Sequence, residues 1–240
     1  MTSKIRLYVK HNLGTGQTVS LNRKQAHYLF TVMRRKPHDE ILIFNGRDGE
    51  WKAEILNTKK NTEELTCVKK IRSAKLLPDL WLLFAPIKRN RTEFIVEKAT
   101  ELGASRIIPV KTEFTNLASI RLERLVVYAI EAVEQCGGIS VPEITQIQAL
   151  NKILTQWPSN RHLMFCDEKE VPKRANFSTM QRGPWAILIG PEGGFSNAER
   201  AQIKSLLHSY PFSLGPRILR ADTAAVAAIA LWQQALGEWE

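Results

Sequence analysis

The rhythm of the last two thirds of the chain constrains its fold most. Leu80–Ala85 is an unbroken apolar run, Thr92–Leu102 places Ile95, Ala99 and Leu102 on one helical face, and Arg106–Val110 is apolar again. Predicted helices at about Ile120–Gln135 and Leu150–Trp157, strands at His162–Cys166 and Trp185–Ile189, a helix at Asn197–Leu207, a short strand at Phe212–Leu214 and a helix at Thr223–Leu236 continue the pattern. Strands apolar on both faces, separated by helices, belong in a mostly parallel sheet buried between helical layers. Residues 78–240 are therefore expected to form an α/β domain.

The first third reads differently. Ile5–Val9, Thr18–Leu21, Glu40–Phe44, Glu50–Leu56 and Leu65–Ile71 are β-prone, and the turn-rich Asn45-Gly46-Arg47-Asp48-Gly49 joins two of them as a hairpin. Arg23–Met33 carries Ala26, Leu29, Phe30 and Met33 at helical spacing. A small barrel or curled sheet with one helix, over residues 1–73, fits this pattern, with 73–78 as linker.

Charge separates the same two parts. Residues 1–75 hold 16 Lys and Arg against 7 Asp and Glu, a net of +9, while the remaining residues hold 18 against 17. A basic first domain beside a nearly neutral second one points to a polyanionic partner such as nucleic acid or an anionic membrane. The exposed cations are expected to include Arg23, Arg34, Arg35, Lys36 and Arg47.

Several classes are excluded. The start lacks the apolar core of a signal peptide, and the longest apolar stretch, Ala224–Trp232, is far short of a bilayer span. A cytoplasmic protein with no membrane association is expected. Cys67, Cys136 and Cys166 show no metal or disulfide spacing, and the five histidines form no triad, so no metal is expected.

Ligands of open α/β sheets bind beyond the carboxyl ends of the strands. The loop Gly190-Pro191-Glu192-Gly193-Gly194-Phe195-Ser196 leaves one such end, and its glycines let backbone approach a ligand. It lacks the Lys and Ser/Thr of a phosphate-binding loop, and Ser196 with Glu199 forms a capping box for the next helix. The loop 214–224 sets Arg217, Arg220 and Asp222 beside apolar residues before an alanine-rich helix, which Asp222 is placed to cap. Lys88, Arg89 and Arg91 follow the first buried strand, where they are placed to hold phosphates.

The segments LLFAPIKRNRTEFIVEKATELGASRIIPV, EAVEQCGGISVPEI, ILIGPEGGFSNAE and LGPRILRADTAA, with HYLFTVMRRKPHDEILIFNGRDGEWKAEI before them, together resemble the RsmE family of 16S ribosomal RNA uridine N3-methyltransferases. The resemblance covers nearly the whole chain. It implies a SPOUT-type parallel sheet with a C-terminal trefoil knot, a small N-terminal PUA-like β-barrel, a homodimer, and S-adenosyl-L-methionine as methyl donor. It implies as substrate N3 of one uridine, position 1498 in the family's RNA numbering, in 16S rRNA within the 30S subunit. Carried over residue by residue, the cofactor loops are Ile189, Gly190, Pro191, Glu192 and Gly193, and Leu214, Gly215, Ile218 and Leu219.

Two positions depart from the family pattern. Gly138 stands where an arginine is usual, and Asp222 replaces a glutamate. Uridine N3 carries a proton at neutral pH, so its methylation needs a group that stabilises the anion and another that takes the proton. Arg220 is expected in the first role, and Asp222 or Glu192 in the second. Two rival readings are a methyltransferase for another structured RNA such as tRNA, and a non-catalytic RNA-binding protein of ribosome assembly.

Overall fold

The structure, a computed structural model, describes residues 5–56, 64–116, 120–169 and 180–239. Of the expected second domain, residues 117–119, 170–179 and 240 lie outside the described residues, as do 1–4 and 57–63 of the first. Two compact units emerge: Met1–Leu76 with Val133–Val141, and Leu77–Ala132 with Pro142–Glu240.

The first unit contains β1 (Arg6–Tyr8), β2 (Thr18–Ser20), α1 (Arg23–Ala26), β3 (Glu40–Phe44), β4 (Glu50–Ile55) and β5 (Glu64–Arg72). They form one sheet in the order β1-β3-β4-β5-β2, antiparallel except for the β1–β3 pair. The sheet curls over a core of Val19, Leu29, Ile41, Ile43, Ala53, Ile55 and Leu65. Asn22 caps α1 through the amides of Lys24 and Gln25. The expected single helix over Arg23–Met33 instead widens into a π-helical stretch, His27–Val32. There the amide of Met33 reaches the carbonyl of Tyr28, one residue beyond the α-helical partner. Leu29 is thereby fully buried while Tyr28 and Phe30 pack at the margin.

Residues 133–141 join this unit through a buried cation. Arg6 donates from Nε to Glu50 (2.7 Å), from Nη1 to the carbonyls of Val133 (2.8 Å) and Glu134 (3.1 Å), and from Nη2 to that of Gly138. Arg72 holds the other Glu50 oxygen at 2.8 Å and the Gly137 carbonyl at 2.9 Å. A guanidinium suits this place because it satisfies carbonyls left free at the end of a helix and favours the negative end of its dipole. The guanidinium groups at this turn thus come from Arg6 and Arg72, and Gly138 contributes its carbonyl.

The second unit contains β6 (Leu80–Phe84), α2 (Arg89–Glu101), β7 (Arg106–Lys111), most of α3 (Leu122–Cys136), β8 (Glu143–Ile144), β9 (Gln148–Ala149), α4 (Leu150–Thr155), β10 (His162–Cys166), β11 (Trp185–Ile189), α5 (Asn197–Lys204), β12 (Ser209–Phe212) and α6 (Ala221–Leu236). The strands are parallel in the order β12-β10-β11-β6-β7-β8, with β9 also on β7. All five residues of β11 are buried, as its apolar run requires at the sheet centre. Helix α6 packs on α2 and β11, and its buried alanines, Ala224, Ala225 and Ala228, permit that close approach.

Two boundaries differ from expectation for identifiable reasons. The last strand ends at Phe212, because its ladder with β10 closes on Cys166, and this frees Ser213 and Leu214 for a loop. Helix α6 starts at Ala221 with Arg220 at its N-cap position, where no side chain caps it, so Asp222 lies inside the first turn.

Candidate active site

Three carboxyl-end loops of neighbouring strands meet at a cavity of about 240 Å³. Loop 166–168 follows β10, loop 190–195 follows β11 and loop 213–220 follows β12. Ile189, Gly190, Pro191, Glu192, Leu214, Gly215, Ile218, Leu219, Arg217 and Arg220 line it. Gly193 and Asp222 stand outside the walls. A Cβ at Gly193 would point at Phe114, 3.1 Å away.

Sequence reasoning missed the third wall, Cys166-Asp167-Glu168. The signal was available in part, since β10 is a parallel strand whose carboxyl end must open on the same side as that of β11. Cys166 is half-buried, and desolvation of its thiol pushes the pKa well above the ordinary cysteine value. It therefore acts as an apolar wall and not as a nucleophile.

The glycine loop is held by an ion pair that reaches across elements. Arg200 on α5 donates from Nε to Asp167 at 2.6 Å and from Nη2 to its other oxygen at 3.0 Å, and its Nη1 meets the Phe195 carbonyl. The hydrogen bond to Asp167 outweighs burial and raises the Arg200 pKa, so its charge is permanent. Ser196 and Glu199 cap α5 reciprocally, as expected.

Two glycines here resist substitution. A Cβ at Gly190 would lie 2.7 Å from the Phe195 ring. Gly194 has φ +67° and would set a Cβ 2.6 Å from Glu168 Oε1.

Asp222 accepts from the Thr223 amide at 2.9 Å and from Arg91 Nη1 at 3.3 Å. Arg91 is thereby tied to the first turn of α6, and Arg89 pairs with Glu93 at 3.2 Å, leaving exposed Lys88 at the N-cap of α2. In the first unit, Arg23, Arg34 and Lys36 are exposed. Arg34 adopts φ +51°, an uncommon conformation for a residue with a side chain. Arg35 lies 3.8 Å from Asp39, and Arg47 donates to Asn12 at 2.9 Å.

Comparison with known proteins agrees with this arrangement. Residues 75–233 match the RNA methyltransferase domain and residues 21–66 the RNA methyltransferase PUA domain. Ribosomal RNA small subunit methyltransferase E of Rickettsia conorii is 32% identical over 229 residues, covering 94% of this chain and 93% of its own. That of Buchnera aphidicola subsp. Schizaphis graminum is 31% identical over 250 residues, with 97% of each chain covered. The Neisseria gonorrhoeae ribosomal RNA small subunit methyltransferase E, solved bound to S-adenosyl methionine, has a TM-score of 0.88 at 27% identity, covering 99% of this chain and 100% of that one. A Legionella pneumophila putative methyltransferase, solved with the cofactor SAM, has a TM-score of 0.86 at 27% identity, with 98% of each chain covered. With both units matched over their length and the strand-end cavity intact, the chain belongs to the RNA methyltransferase family that includes ribosomal RNA small subunit methyltransferase E.

Proposed function

We propose that this chain methylates N3 of one uridine, position 1498 in the family's RNA numbering, in 16S rRNA of the 30S subunit, using S-adenosyl-L-methionine. The observation that carries this reading is the meeting of three strand-end loops at one cavity whose walls combine apolar side chains with carboxylates.

The residues present fit that cofactor. Leu214, Ile218 and Leu219 offer apolar surface for an adenine ring, and Ile218 is 83% exposed, so covering it is favourable. The backbone of loops 190–193 and 214–219 supplies hydrogen-bonding groups, and the carboxylates of Glu168 and Glu192 suit a cationic group. When bound, the cofactor supplies an electrophilic methyl on a sulfonium, a leaving group that needs no metal. Holding acceptor and donor in line provides much of the rate.

Arg220 lines the cavity from the N-cap position of α6 and stabilises negative charge on the uracil carbonyls as the N3 proton departs. The N3–H bond breaks with its proton passing to a carboxylate, and the N3–methyl bond would form as the methyl–sulfur bond of the sulfonium breaks. Glu192, on the cavity wall, is the favoured acceptor, and Asp222 acts by steadying Arg91 beside it.

The same reading includes a cytoplasmic homodimer and a C-terminal trefoil knot. Half-exposed Phe94, Val127 and Leu231, on α2, α3 and α6, support a subunit contact. Among the described residues no helix is long and apolar enough to cross a membrane. Arg23, Arg34, Arg35, Lys36, Arg47, Lys88 and Arg89 supply phosphate contacts.

Calorimetric titration with S-adenosyl-L-methionine, and methylation of undermethylated 30S subunits, naked 16S rRNA and tRNA with nucleoside analysis, test the proposal. Saturable cofactor binding and 3-methyluridine in 16S rRNA are expected. Absence of cofactor binding would leave an assembly factor, and product confined to tRNA would reassign the substrate.

A further inference from the structure

The far end of β5 has no part in the reading above. Six residues of β5, 67–72, oppose four of β4, 50–53, and the register shifts twice. Val68 and Ile71 are the extra residues, with no partner across the ladder. A bulge leaves its extra residue unpaired, bends the strand and re-aims side chains. Here Val68 through Arg72 are all exposed, five in succession where alternation would bury every second one. Val68 is 43% and Ile71 45% exposed. Strand β2 pairs only with residues 64–66, so this end of β5 is also a sheet edge.

Lys69 and Lys70 stand between the two apolar side chains. Lys69 lies opposite Lys52, and like charges facing each other across a ladder are destabilising. Glu40 offsets Lys52 at 2.7 Å, but among the described residues no carboxylate pairs with Lys69. Lys70 lies 6.0 Å from the centre of the Trp51 ring. Asp48, whose carboxyl the charge of Lys70 helps to keep ionised, already accepts from the Leu13 backbone amide at 2.9 Å and the Asn45 side-chain amide at 2.6 Å. Bulges and lysines alone would serve to protect an edge from aggregation. Protection does not explain two exposed aliphatic side chains on either side of the lysines, since polar residues would protect better.

Resting on the RNA substrate proposed above, we infer that the bulged end of β5 binds unpaired RNA, phosphates against Lys52, Lys69 and Lys70, and bases against Val68 and Ile71. Charge complementarity selects a polyanion, because this surface belongs to the part of the chain with net charge +9. The apolar pair selects unpaired RNA, since an A-form duplex presents phosphates and hydroxyls while single strands present base faces.

The test uses the full chain with two double variants, Lys69→Glu/Lys70→Glu and Val68→Ser/Ile71→Ser. Cofactor titration and thermal melting report that both units are intact, and Lys69→Gln/Lys70→Gln replaces the charge reversal if that variant does not fold. The probes are undermethylated 30S subunits, naked 16S rRNA, an oligouridine of about twelve nucleotides, and a duplex of the same length. The charge variant is expected to bind every RNA about tenfold or more weakly, with a salt dependence shallower by about one to two. The apolar variant is expected to lose about three- to tenfold on oligouridine, with duplex binding and salt slope unchanged. Wild-type affinity in the charge variant, or equal losses on duplex and oligouridine in the apolar one, overturns the inference while methylation by the wild type still stands. Loss confined to 30S subunits assigns the surface to a ribosomal protein instead. A wild-type chain that binds no RNA probe overturns both this inference and the proposed substrate.

Discussion

Arg200 and Asp167, 33 positions apart in sequence, form a two-point ion pair at 2.6 and 3.0 Å that ties the loop after β10 to the helix after the glycine loop. Because Arg200 also binds the Phe195 carbonyl, the pair fixes the backbone that forms one cavity wall. Lysine cannot make the planar fork. Arg200→Lys is therefore expected to weaken S-adenosyl-L-methionine binding about tenfold, about 1.4 kcal/mol, measured by calorimetry. With cofactor saturating, turnover should recover to within about threefold, the split expected of a residue that positions and does not react. Equal losses in turnover and affinity would remove the positioning role.

Gly190 lies against the edge of the Phe195 ring, and any side chain there must displace it. Gly190→Ala is expected to cost about 1–3 kcal/mol of stability, as overpacking does, and to weaken cofactor binding. Adding Phe195→Leu should recover part of the melting temperature by making room for the new methyl group. No recovery in the double variant would show that the Phe195 ring is not the source of the cost.

How much of this was legible in the sequence depended on the range of the interaction. The bounds of β3, β10 and β11 agree with the sequence reading because uninterrupted apolar runs and a turn of Asn and Gly are local signals. The capping box of Ser196 and Glu199 was legible for the same reason. Cys166-Asp167-Glu168 was not, since a wall made without glycine or an unusual residue type carries no local mark. The Arg91–Asp222 pair joins residues 131 positions apart, and each reads alone as a surface charge or a cap. The π-helical turn after α1 was hidden because an apolar spacing that suits an α-helix also suits a helix with one inserted residue.

Arg220 and Asp222 flank the start of α6, the first on the cavity wall and the second paired with Arg91. Arg220→Ala is expected to lower turnover about a hundredfold while cofactor affinity stays within about twofold. Near-normal turnover would dismiss its role in stabilising the uracil anion. Arg91→Ala and Asp222→Asn should each have smaller effects, and their double variant should fall short of the sum by about 0.5 kcal/mol in a double-mutant cycle, since the pair is partly solvated. Strict additivity would mean that the two do not act together.

Glu50 couples acidity to the stability of the first unit. Burial opposes its ionisation, yet hydrogen bonds from Arg72 and Arg6 outweigh burial and hold its pKa below the ordinary glutamate value. A carboxylate with a lowered folded-state pKa contributes stability above its unfolded pKa, and that contribution is lost as pH falls through the folded value. Denaturant unfolding from about pH 7 to about pH 3, followed by amide hydrogen exchange of β3, β4 and β5, should show a loss that steepens below the ordinary glutamate range. Glu50→Gln leaves two guanidinium groups without their anion, so it should cost about 2–3 kcal/mol at neutral pH, with a flatter acid limb. A variant with the wild-type acid limb would place the titration elsewhere. The same substitution weakens the hold of Arg6 on the carbonyls of Val133, Glu134 and Gly138. Amide hydrogen exchange in residues 133–141 should therefore accelerate in the variant before the rest of the unit opens.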